Sequence, residues 1–180
     1  NNIDCIPYDN ENLSEWRNAF KGIKWHDKKT NFIFFGGIDD VWINENGELH
    51  IVDYKATAKK TFNPNFNTGW EVCYKRQLEI YQWLFKNNGF KVSDIGYIIY
   101  ANGKSNEKKF GCSLTFDEYL YPLVCNTDWI DKVIQDIYKC LKSEELPKSG
   151  GGWNGEGCEQ CAYKKQLAKI MREHIEKDIK

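Results

Sequence analysis

The sequence is short of most features that assign a protein quickly. No apolar run approaches the ~20 residues that span a bilayer, so no transmembrane helix and no membrane partner are expected. The opening NNIDCIPYDN is polar and carries no export signal, and it does not begin with Met, so a truncated or processed N-terminus is expected. Basic excess is missing: 25 Lys and Arg face 26 Asp and Glu, a net charge of −1. A duplex-DNA binder usually shows such an excess. Any nucleic-acid contact must then come from local clusters such as Lys59-Lys60, Lys75-Arg76, Lys108-Lys109 and Lys164-Lys165. For any single cluster, a solvated surface patch is the commoner explanation.

Histidine is scarce, and His26, His50 and His174 form neither a triad nor an H-E-x-x-H pattern. No GxGxxG or Walker-type phosphate loop occurs: Gly150-Gly151-Gly152 runs into Trp153 and lacks the lysine. The seven cysteines are odd in number and irregular in spacing, which excludes a tidy disulfide framework. Free thiols in a reducing cytoplasm are expected instead. Only Cys158-x-x-Cys161 has ligand-like spacing.

What is present suits one domain with a full core: 180 residues, 41% apolar and 28% charged. Aromatics reach 15%, so Trp, Tyr and Phe should build much of that core. Residues 11–21 read as a short helix with Leu13, Trp16 and Phe20 as its stripe. Residues 32–43 read as strand, bent at Gly36-Gly37. Asn44 to Gly47 is a turn signal, and 48–56 a second strand. Residues 57–69 lack periodicity and read as a mobile loop. A helix follows from about Trp70 to Asn87, stopped by Asn88-Gly89. Residues 95–101 form a buried strand, and 109–116 alternate as another, with Phe110, Cys112, Leu114 and Phe116 on one face. Trp129, Val133, Ile137 and Leu141 mark a helix, 147–157 a Gly-rich loop, and the tail from Ala162 a last helix. This order predicts an α/β fold: a mixed central β-sheet flanked by helices.

The informative stretches are GGIDDVW at 36–42 and IVDYKAT at 51–57. Asp39 stands 14 positions before Asp53, and Lys55 follows two later. Alternation puts Asp53 and Lys55 on one side of a strand with Ile51, and Tyr54 on the other. Two carboxylates facing each other across a hairpin repel. A divalent cation removes that penalty, and carboxylate oxygens are what Mg²⁺ accepts. A cation there would polarise a phosphodiester and acidify an attacking water, with Lys55 orienting that water or offsetting phosphate charge. The plainer alternative is a Lys55–Asp53 ion pair on a solvated sheet face. Against it, both acids sit in strongly apolar strands, where unpaired charge is costly. Gln77 and Tyr81, spaced i, i+4, share one face of the following helix and could complete a site.

These three segments resemble the PD-(D/E)XK nuclease superfamily, in its RecB-like branch. The matching residues are Gly37-Ile38-Asp39, then Val52-Asp53-Tyr54-Lys55, then Tyr74-Lys75-Arg76-Gln77-Leu78-Glu79-Ile80-Tyr81. The resemblance covers about 33–86 and implies a single nuclease-like domain over 1–180 with a restriction-endonuclease-like core, ending in a Cys-containing loop and helix at about 150–180. It implies a metal-dependent nuclease hydrolysing DNA phosphodiester bonds in repair, recombination or mobile-element processing, with an exonuclease favoured. A catalytically degenerate nucleic-acid-binding or accessory module is the alternative. Asp39, Asp53 and the Tyr54 carbonyl would hold Mg²⁺ or Mn²⁺, Lys55 would assist the water, and Gln77 and Tyr81 would support. Asp40 is the runner-up to Asp39. Lys59, Lys60, Lys75 and Arg76 would touch the nucleic-acid backbone.

The family usually adds an acid or His from an N-terminal helix, for which Glu15, Glu11 and His26 are the candidates. Cys158 and Cys161 also resemble the cysteine group with which some relatives, CRISPR-associated RecB-like exonucleases among them, hold an iron–sulfur cluster. A cluster or zinc needs about four ligands, so neither is expected here. The expected partner is single- or double-stranded DNA, with a helicase or other recombination protein compatible with the resemblance.

Overall fold

The structure is a computed structural model describing residues 3–105, 111–148, 150–151 and 157–178. The chain divides into two compact units, 1–135 and 136–180. Among the described residues the first holds seven strands: β1 (Cys5–Pro7), β2 (Ile23–Asp27), β3 (Phe32–Gly36), β4 (Asp40–Asn44), β5 (Leu49–Thr57), β6 (Ile95–Gly103) and β7 (Phe116–Val124). It also holds α1 (Leu13–Trp16), α2 (Val72–Asn87) and the start of α3 (Asp128–Lys142). The second holds the rest of α3 and α4 (Glu159–Asp178).

Five strands make a mixed sheet in the order β1-β4-β5-β6-β7. β5 and β6 run parallel, and every other pair is antiparallel. The parallel pair requires a crossover, which the loop after β5 and α2 supply. β2 and β3 form a separate two-stranded sheet. The single strand expected over 32–43 is therefore two strands in different sheets, broken at the two glycines. A side chain at Gly37 would collide with the Ala19 backbone, its Cβ 2.9 Å from Cα.

The β4–β5 hairpin turns where Asn44-Glu45-Asn46-Gly47 predicts. Asn44 Oδ1 accepts the Asn46 and Glu48 amides at 3.0 and 2.9 Å, an Asx-type turn. Gly47 takes φ +73, a region costly for any residue with a Cβ. α2 ends where expected: Gly89 has φ +87, and Phe90 N–H closes on Phe85 O at 3.1 Å.

Other boundaries move. The helix expected over 11–21 is only Leu13–Trp16. The Asn18 side-chain oxygen takes the Phe20 and Lys21 amides instead and turns the chain. The strand expected over 109–116 begins at Phe116. Residues 111–115 are not strand, and Lys108, Lys109 and Phe110 lie outside the described residues. So does most of the Gly-rich loop, 149 and 152–156. β1 and β2 were not anticipated.

The core forms between the sheet and α2. Ile38, Val41, Ile51, Leu78, Leu84, Phe85 and Ile98 are buried there. Trp16 sits edge-on to Phe85 at 5.0 Å, joining α1 to this core. All seven cysteines are free thiols. No helix among the described residues is long and apolar enough to cross a membrane.

Candidate active site

Register decides which acids meet. Asp40 pairs with Val52 and Val41 with Ile51 across the hairpin. One step beyond, Asp39 falls opposite Asp53, on the same face of the sheet. That face also carries Ile98 and Tyr100 of β6, the parallel partners of Asp53 and Lys55. α2 lies over it and delivers Gln77 and Tyr81.

The five residues nominated from sequence join in one chain of contacts. Asp39 Oδ2 accepts the Tyr54 amide at 2.8 Å. The Lys55 ammonium lies 2.5 Å from Asp53 Oδ2 and donates to Gln77 Oε1 at 3.1 Å. Gln77 Nε2 donates to the Tyr81 hydroxyl at 2.9 Å. The Lys55 ammonium also stands 4.8 Å above the Tyr74 ring, a cation–π contact. Tyr81 fits because residue 36 is glycine: a Cβ there would lie 2.6 Å from Tyr81 Cε1.

Asp53 is only 2% exposed. The ion pair with Lys55 is therefore buried, not on a solvated face. Its short distance supplies charge compensation, while Asp53 Oδ2 makes no hydrogen bond of ordinary geometry. Burial pushes the Asp53 carboxyl above the usual carboxylate range; Lys55 pulls it back, and the neighbouring Asp39 raises it further. Burial likewise raises the Tyr81 phenol. An oxygen-only pair of carboxylates with one unaligned buried oxygen fits a hard divalent cation, which accepts one or two carboxylates and keeps waters besides. Among the described residues no group of three or more His, Cys, Asp and Glu side chains assembles as a ligand set.

Asp40 does something else. Its Oδ1 takes the Arg17 guanidinium at 2.5 Å and its own neighbour's amide, Val41, at 2.9 Å. Its Oδ2 accepts the Tyr54 hydroxyl at 3.1 Å, and burial pushes that phenol up to about 12. Arg17 was missed in the sequence; its contacts lie 22 and 23 residues away, beyond any local spacing rule.

The three candidates for an N-terminal acid or His sit elsewhere. Glu15 is exposed on α1 and lines a surface cavity with Asn12, Lys24 and Asn88. Glu11 is exposed in the turn before α1. His26 Nε2 bonds Asn31 Oδ1 at 2.8 Å within the β2–β3 hairpin. The largest influences on Asp53 besides burial are Lys55 and Asp39, not these.

Of the basic residues, Lys59 pairs with Glu71 at 3.2 Å, and Lys60 is exposed. Lys75 and Arg76 line a cavity of about 550 Å³ with Phe66, Val72, Glu79 and Trp129. In the second unit, Cys158 Sγ accepts the Cys161 amide at 3.4 Å at the start of α4, a capping contact.

The family model of the PD-(D/E)XK nuclease superfamily matches residues 8–166 of this sequence. None of the curated proteins matches it. The solved structure of SSO0001 is similar over 63% of this chain, at 19% identity and a TM-score of 0.36. The match spans 44% of that protein's length.

Proposed function

We propose that this chain, which belongs to the PD-(D/E)XK nuclease superfamily, is a divalent-metal-dependent nuclease that hydrolyses DNA phosphodiester bonds. Membership of the family supports a nuclease-type function on nucleic acid. The finer reading is of a RecB-like exonuclease in repair, recombination or mobile-element processing, one nuclease-like domain acting in the cytoplasm with a helicase or other recombination protein. The observation that carries the metal-dependent reading is the pairing of Asp39 with a buried Asp53 whose Oδ2 lacks an aligned donor.

In this reading Asp39 and Asp53 hold Mg²⁺ or Mn²⁺. The Tyr54 carbonyl is the third donor. Its amide reaches Asp39, and in an extended strand one residue's N–H and C=O address the same neighbour. A cation held by these groups would supply Lewis acidity, lowering the pKa of a water and polarising a phosphate oxygen. Lys55 donates to the attacking water or to the phosphate oxygens that gain charge. Gln77 fixes the ammonium from one side, Tyr74 supports it with its ring, and Tyr81 fixes Gln77. Lys59, Lys60, Lys75 and Arg76 contact the phosphate backbone, an attraction that weakens with salt.

The test is incubation with single- and double-stranded DNA in Mg²⁺ or Mn²⁺. Cleavage is expected, and it disappears in Asp53→Ala and in Lys55→Ala. Cleavage that survives both changes at the wild-type rate overturns the assignment. A wild type that neither cuts nor binds Mn²⁺ near the millimolar range in a calorimetric titration is instead a degenerate binding module.

A further inference from the structure

We propose that Arg17 is a positioning residue for the metal-binding carboxylate Asp39, acting through a closed ring of contacts with Asp40 and Tyr54; the inference rests on the nuclease reading. Arg17 Nε donates to the Asp39 carbonyl at 2.9 Å, and its Nη2 to Asp40 Oδ1 at 2.5 Å. Asp40 Oδ2 accepts the Tyr54 hydroxyl at 3.1 Å. The Tyr54 amide returns to Asp39 Oδ2 at 2.8 Å. The peptide bond from Asp39 to Asp40 closes the circuit. The Asp39 main chain is held from one side and its carboxylate from the other.

The local sequence explains why an arginine stands there. Trp16 is anchored in the core, and its carbonyl accepts the Ile38 amide at 3.0 Å. That bond ties the end of α1 to the segment entering β4, so residue 17 must lie beside residues 39 and 40. Asp39 precedes the first paired residue of β4 and gains little from sheet hydrogen bonds. It needs another support. A planar guanidinium can address a carbonyl and a carboxylate at once, which an ammonium cannot do with comparable geometry. Asp40, engaged by Arg17, Tyr54 and the Val41 amide, is committed to this frame and is not a metal ligand.

Positioning and simple charge make opposite predictions. Deleting a cation beside carboxylates strengthens capture of Mn²⁺ by Coulomb's law. Deleting a support that orients a ligand weakens it, typically 10–100-fold. The experiment is Mn²⁺ titration calorimetry on the full chain for wild type, Arg17→Ala, Arg17→Lys and Tyr54→Phe. It is paired with hydrogen exchange at the Tyr54 amide of the metal-free protein. Mn²⁺ affinity should fall roughly 10-fold in Arg17→Ala. Arg17→Lys should not restore it, and the uncharged change Tyr54→Phe should weaken it in the same direction. The Tyr54 amide should exchange faster in Arg17→Ala, a direct sign that Asp39 has left it. Affinity that is unchanged or tighter in Arg17→Ala, with the amide still protected, overturns the proposal while leaving the nuclease reading intact. If Arg17→Ala does not fold, Tyr54→Phe decides: unchanged Mn²⁺ affinity there overturns it as well. A wild type that binds no Mn²⁺ and cuts nothing sinks the nuclease reading itself.

Discussion

On one face of the β4–β5 hairpin, His50 is 5% exposed and has a partner at each ring nitrogen. Nε2 accepts from Asn44 Nδ2 at 3.3 Å, which leaves Nδ1 to donate to the Ile95 carbonyl at 2.9 Å. On the other face, three residues along the same strand, Asp53 is 2% exposed with an oxygen that no donor addresses squarely. Both faces bury polar chemistry, but only one leaves it incomplete. A satisfied buried group contributes to one defined packing; a buried carboxylate with an unaligned oxygen carries a desolvation cost that its ion pair only partly offsets. Gln82 shows why charge matters. Its Oε1 also lacks a partner, but it is a neutral amide whose Nε2 reaches Ser93 O at 3.0 Å. The two faces thus separate a completed polar contact from an incomplete one.

The largest expected effect comes from Asp53→Asn. Cleavage should fall at least ~10²-fold, the scale for removing one electrostatic contributor at a reacting centre, while the thermal midpoint does not fall. His50→Ala should do the reverse. Leaving the Asn44 and Ile95 groups unpaired should cost about 1–3 kcal/mol in urea unfolding, with cleavage per folded molecule unchanged. If His50→Ala abolishes cleavage, or Asp53→Asn leaves it intact, the contrast between the faces is wrong.

A smaller, sharper test is pH. Burial raises the Asp53 pKa in the folded chain above its unfolded value. The stability this group contributes is therefore present in acid, below the unfolded carboxylate range, and is lost as pH rises through the folded value. In metal-free protein, the midpoint of Asp53→Asn should exceed that of wild type at neutral pH. The gap should close on acidification, read by thermal melts across the carboxylate range. A gap that is constant with pH removes burial as the cause.

The grouping of the candidate residues was more legible than the framework around it. Asp39, Asp53, Lys55, Gln77 and Tyr81 could be read because strand alternation and helix spacing are short-range rules. The structure brings these residues into one connected group. The mixed sheet with a covering helix was legible for the same reason. Arg17 was not, since a contact 22 residues away leaves no periodic trace. β1 is three residues long and β2 five, too short for alternation to stand out. The apparent alternation from Phe110 to Phe116 pointed to a strand that in fact starts at its last residue. Gly36-Gly37 signalled a bend but could not say that the chain changes sheets there.

Gly36 has a reach beyond backbone freedom. With Tyr81 Cε1 2.6 Å from where a Cβ would stand, and ordinary contact beginning near 3.4 Å, even alanine would displace the phenol. Tyr81 holds Gln77, and Gln77 holds the Lys55 ammonium. A single methyl group on a neighbouring sheet would therefore detune the lysine by mechanical relay. The tolerance of this centre is set as much by an empty space as by its charges.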